Sequence, residues 1–139
     1  MIPQLLRVAS GLLIAMSLVD AQAPGGVRAT RLFSGPDGQT HAEEVNISQL
    51  ATAQPGILKP ASVRFSTRGP GTSDDWHTAP QRQYLITLKG HAEIEIGGGQ
   101  IVHATTGSVL LIEDMTGKGH RAKVTAESEW HVMFVPLSR

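Results

Sequence analysis

The chain of 139 residues contains no cysteine. Disulfides, thiolate metal centres, a cysteine nucleophile and lipid attachment through cysteine are therefore all excluded. It also lacks net charge, with 12 Lys and Arg against 12 Asp and Glu. A neutral chain creates no field that would recruit nucleic acid or an anionic membrane. Its basic residues, among them Arg64, Arg68, Lys89, Arg121 and Lys123, are scattered rather than striped among aromatic residues. Long apolar runs are scarce too. The one from Val8 to Val19 is a dozen mostly apolar residues behind a short, singly basic Met1 to Arg7 segment. A bilayer-spanning helix needs about 20 apolar residues, so this layout reads as a secretory signal rather than an anchor. Cleavage is expected after Ala21, because a cut after Ala23 would put the Pro24 ring next to the scissile bond. The expected mature form is exported, to the periplasm or the medium, and free of membrane.

Residues 22–29 form a Pro/Gly-rich lead-in, and residues 30–139 have the length of one domain. Helical periodicity is nearly absent. Short runs of β-branched and apolar residues instead alternate with Gly, Pro, Asp and Ser clusters, the pattern of an all-β sandwich or barrel. The predicted strands are Thr30–Phe33, Ala42–Ile47, Ser62–Thr67, Gln83–Leu88, Ala92–Ile96, Ile101–His103, Ser108–Ile112, Ala122–Thr125 and Glu129–Val135. In the clearest of them Ala92, Ile94 and Ile96 share one face while His91, Glu93 and Glu95 share the other. Lys89-Gly90 before it and Gly97-Gly98-Gly99 after it read as hairpin turns, making the central half a β-meander. One helical turn is expected over Ser48–Thr52, capped by Ser48 and stopped by Pro55 and Pro60.

Two stretches concentrate chemically useful side chains: Asp74 to Tyr84, and Glu113 to His120. The first resembles the opening motif of the cupin family, in which two His flank one residue, followed by Glu and, six residues later, Gly. Here His77 takes the first position, Ala79 the second His position, Gln83 the Glu position, and Gly90 closes the motif. Gly107 followed by Ser108–Ile112 is similar to the start of the second motif, with Glu113 replacing a proline and His120 falling about two residues late. The resemblance covers roughly Ser62 to Leu137. It implies a single-domain, double-stranded β-barrel of the jelly-roll type, with a small-molecule site in the lumen and possible homodimers. It also implies a divalent metal, one of Fe, Mn, Ni, Cu or Zn, held by His77, Gln83 and His120. An amide oxygen is a weaker ligand than a carboxylate, and Ala79 supplies no imidazole, so the inherited site is depleted.

Glu113 or Asp114 could restore the missing negative charge, although their opposite parity lets only one face inward from a regular strand. Arg82 could clamp a carboxylate substrate. Arg82, Glu113 and Asp114 are thus the candidate substrate contacts, and Tyr84 should point away from the lumen if Gln83 points into it. His103 and His131 read as structural, and His41 and His91 as exposed. No phosphate loop, nucleophile elbow or His-Glu-x-x-His helix is present. Two functional classes remain open: a metal-dependent enzyme such as an oxygenase, isomerase or lyase, and a metal-free module that binds a small organic ligand.

Overall fold

The computed structural model describes residues 25–53 and 59–138. The signal segment, both cleavage positions and Pro55 lie outside the described residues. All nine sequence-predicted strands are present: β1 (Arg28–Ser34), β2 (Thr40–Asn46), β3 (Arg64–Arg68), β4 (Gln83–Lys89), β5 (His91–Glu95), β6 (Ile101–Thr105), β7 (Val109–Glu113), β8 (Arg121–Val124) and β9 (Trp130–Pro136). Among the described residues the one α-helix, α1 (Ile47–Ala53), starts directly after β2. Its cap is Asn46, whose side-chain oxygen accepts a hydrogen bond from the Gln49 amide at 3.3 Å. Ser48 instead accepts from the Val27 amide and ties the helix to the start of β1. No helix among the described residues is long and apolar enough to cross a membrane.

The strands form two sheets, ordered β2-β1-β7-β4-β9-β3 and β6-β5-β8. The segment from Ser73 to His77 runs alongside β8 as a discontinuous fourth row, through bridges Ser73 to Lys123 and His77 to His120. The pairings are nested. β5 pairs with β6, β4 with β7, the 73–77 segment with the β8 side, and β3 with β9. Each outer pair encloses the inner ones in sequence, so the chain is one long antiparallel hairpin rolled into two facing layers, which is the construction of a jelly roll. β1 extends the larger sheet by running parallel to β7, and β2 pairs antiparallel with β1.

The predicted meander is corrected at one point. β4 pairs with β7 and β9, and β5 with β6 and β8, so Gly90 carries the chain from one sheet to the other instead of closing a hairpin. Its φ of 86° lies in the left-handed region, and a Cβ there would lie 2.1 Å from the Glu129 carbonyl oxygen. Alternation along a strand specifies which face is buried. It does not specify the neighbouring strand.

The inward faces supply the core. Leu32, Leu85, Ile94, Leu110, Ile112, Val124, Trp130 and Val132 pack together between the sheets. Trp130 is 1% exposed, and its indole N–H donates to the Thr87 hydroxyl at 3.1 Å. The largest core side chain is thereby satisfied as well as buried. The polar side chains described next sit at one end of this core.

Candidate functional site

His77 and His120 are far apart in sequence and adjacent in space. Their backbones form an antiparallel bridge in which each amide donates to the other's carbonyl at 2.9 Å. Gly119 makes this approach possible. Its φ is 77°, and a Cβ on it would lie 2.0 Å from the His77 carbonyl oxygen. The two rings follow, with centroids 4.6 Å apart and planes inclined by 59°.

Both imidazoles are oriented through Nδ1. His77 Nδ1 lies 2.9 Å from the Asp75 carbonyl oxygen, which can only accept. That nitrogen therefore carries the proton, and in the neutral ring Nε2 keeps its lone pair. His120 Nδ1 lies 2.6 Å from Asp114 Oδ2, which also accepts from the Thr40 hydroxyl at 2.9 Å. With Asp114 ionised, the same tautomer follows for His120. An imidazole whose second nitrogen is anchored on a carboxylate or a carbonyl is the arrangement found behind metal-ligating histidines.

Asp114 is 0% exposed, and its Oδ1 has no hydrogen-bond partner among the described residues. A buried carboxylate is expensive unless it is compensated. Here Thr40, itself buried, and His120 supply the compensation through one oxygen.

His77, Gln83 and His120 line one cavity of about 50 Å³, together with Ala79, Trp130 and the Arg68–Asp74 pair. His77 stands exposed at the opening, while His120 is 6% exposed. Gln83 is also 6% exposed. Ala79 places only a methyl group on the wall. Arg68 grips Asp74 with two nitrogens, at 2.8 and 2.6 Å, so that cation and that anion largely cancel. Among the described residues, no three or more His, Cys, Asp or Glu side chains converge as metal ligands would.

The remaining candidates separate according to strand parity. Asp114 faces inward behind His120. Glu113 faces the opposite side of the large sheet, where it bonds Arg82 (Nε to Oε1, 2.6 Å) and Arg31 (Nε to Oε2, 2.5 Å). Arg31 in turn bonds Glu43 at 2.6 Å. Arg82 and Glu113, considered above as substrate contacts, hold each other outside the cavity and do not line it. Tyr84 shares that outer face. Burial raises its phenol above the usual pKa, with the Arg82 guanidinium partly opposing the shift.

Thr40 was not among the sequence candidates. It comes from the added N-terminal hairpin and reaches Asp114 only because β1 lies parallel to β7. Nothing local in the sequence marks it. His91 and His103 also meet, with Nε2 and Nδ1 3.0 Å apart. Counting pairs outward from the Gly97–Gly99 turn would have put these two residues diagonally across one hairpin.

No protein-family model matches this chain, and no curated protein does. Solved structures with a similar course of backbone include a conserved protein of unknown function from Streptococcus pyogenes. It is 17% identical with a TM-score of 0.44, and the match spans 55% of this chain and 63% of that one. A cupin 2 conserved barrel domain protein from Salinispora arenicola is 18% identical with a TM-score of 0.48, covering 61% and 69% of the two chains. A double-stranded β-helix domain protein from Klebsiella pneumoniae is 19% identical with a TM-score of 0.46, covering 60% and 81%. The fold itself follows from the four nested pairings and the sheet orders they produce. By that construction the chain folds as a small double-sheet β-barrel of the jelly-roll type, the architecture that the resemblance to cupins implied.

Proposed function

We propose that the barrel lumen binds a divalent first-row transition metal through His77, His120 and Gln83, and that the metal acts on a small organic molecule reaching in past His77. The observation that carries this reading is the shared cavity: two imidazoles anchored at Nδ1, and the buried Gln83 amide on the same lining. Imidazole nitrogen and amide oxygen suit Fe, Ni, Cu or Zn better than calcium. Asp114 supports the reading as a buried anion behind His120, offsetting part of a dication's charge without touching it.

Size favours an ion over an enclosed organic ligand. A cavity of about 50 Å³ holds a few water-sized groups. Pockets that enclose organic ligands run roughly 300–1,000 Å³. An organic molecule would therefore contact the site from the opening. Once bound, the metal would supply Lewis acidity. Gln83 would orient a polar group through its amide, and the apolar wall of Leu85, Ile94 and Ile112 would exclude water. The leading sequence supports export of the mature domain. A second reading, a metal-free binding module, is favoured by the methyl group of Ala79 and by the two-imidazole limit among the described residues.

Elemental analysis of the purified protein, after incubation with Fe, Mn, Ni, Cu or Zn and removal of excess, separates the two readings. The metal reading expects stoichiometric metal that is lost in His77→Ala and His120→Ala. It also expects at least about tenfold tighter binding in Gln83→Glu, which restores an anionic ligand. Absence of metal from the wild type and from Gln83→Glu alike would leave the metal-free module.

A further inference from the structure

Beyond the lumen, we infer that the outer face of the small sheet carries a second, independent cation site: a chelate formed by His91 Nε2 and His103 Nδ1 for square-planar or octahedral dications such as Cu(II) and Ni(II). The site lies on the β5–β6 hairpin. In that register His91 faces Thr105 and Glu93 faces His103, so the two imidazoles meet along a diagonal of the outward face. Their rings are 5.2 Å apart between centroids.

The spacing of the two nitrogens selects the metal. Nitrogens each roughly 2.0–2.1 Å from a metal are about 2.9 Å apart when they subtend a right angle, and about 3.3 Å apart in a tetrahedron. The observed separation is 3.0 Å. It matches adjacent positions on a square-planar or octahedral ion better than positions on tetrahedral Zn(II). In the metal-free protein the same distance accommodates a ring-to-ring hydrogen bond. Moving one ring's proton to its other nitrogen leaves lone pairs on both facing atoms, so binding requires a tautomer change and no net proton loss.

The surroundings favour a cation. Glu93 lies directly opposite His103. Lys123 on β8 lies opposite Glu93 and is a nearby cation. Among the described residues no third His, Cys, Asp or Glu completes the set. The site would therefore leave the ion's other positions to water or an exogenous ligand.

Calorimetric and paramagnetic-resonance titration with Cu(II) in a weakly coordinating buffer tests this on the whole chain, using wild type, His77→Ala, and both His103→Gln and the His91→Gln/His103→Gln double variant with and without His77→Ala. The inference expects a copper signal with two-nitrogen coupling that persists in His77→Ala. It expects affinity at this site to fall about tenfold or more when His103→Gln is added to His77→Ala, and that signal to vanish when the double variant also carries His77→Ala. Ni(II) should compete for the site more effectively than Zn(II). His91 and His103 lie on the outward face of the hairpin, so the variants altered only there should melt like wild type. A two-nitrogen copper signal retained when the double variant also carries His77→Ala, or loss of all copper in His77→Ala, would overturn the inference. Neither result bears on the metal content of the lumen, which the Gln83→Glu comparison reads separately.

Discussion

Gly119→Ala should be far more damaging than its single added methyl suggests. An L-residue in the left-handed region costs roughly 1–2 kcal/mol. That part of the cost applies to any glycine of this kind, including Gly98, which has φ 69° and open space around a built Cβ. At Gly119 the Cβ would also lie 2.0 Å from the His77 carbonyl oxygen and 2.8 Å from the Thr78 amide nitrogen, both backbone atoms that cannot rotate away. The two strands must separate, which gives up two backbone hydrogen bonds at about 1 kcal/mol each. The total is roughly 3–4 kcal/mol for Gly119→Ala and 1–2 for Gly98→Ala. In a domain of this size each kcal/mol lowers Tm by roughly 3–6 °C, so Gly119→Ala should melt about 10–20 °C early and Gly98→Ala roughly 5–10 °C early. Far-UV circular dichroism melts of the two variants side by side check this. Equal losses would refute the close approach of the His77 and His120 backbones, and the assembled site with it.

Thr87→Val removes the acceptor of the buried Trp130 indole and should cost about 1–3 kcal/mol in denaturant unfolding. Little further loss on adding it to Trp130→Phe would show that the two side chains act as one unit. Tyr84→Phe removes a buried hydroxyl that has no partner among the described residues, and should be neutral or stabilising by up to about 1 kcal/mol at neutral pH. Because the fold raises the Tyr84 pKa, folded protein holds that proton more tightly than unfolded chain does. The resulting stability is intact below the ordinary tyrosine value of about 10 and is lost as pH rises through the folded value. Urea midpoints between pH 9 and 11 should therefore fall less steeply in Tyr84→Phe than in wild type, and parallel curves would contradict the assignment.

The strands were legible in the sequence because burial on one face imprints a period of two, plainest in His91 to Ile96. Partners were not legible. A run such as Gln83 to Lys89 alternates identically whether it pairs with the next strand or, as found, with β7 and β9. The site was half legible. The spacing from His77 to Gln83, and the parity that sends Glu113 outward and Asp114 inward, were readable along the chain. The Thr40 contact, the Arg68–Asp74 pair and the diagonal of His91 and His103 depend on which strands become neighbours, and residue type carries no record of that. Arg82 also shows the limit: its position beside Gln83 suggested the opening, but adjacent strand residues face opposite ways.

The nesting of the strand pairs also ranks how hard each part of the barrel is to assemble. The β5–β6 pair closes across three glycines, β4–β7 encloses that hairpin, and the contact of His77 with His120 encloses both. Closure entropy rises with the length of chain enclosed, and later contacts borrow the order already gained by inner ones. The two lumen imidazoles therefore belong to the third turn of the roll, and their contact encloses the most chain of these three. A surface chelate on β5–β6, by contrast, needs only the innermost rung.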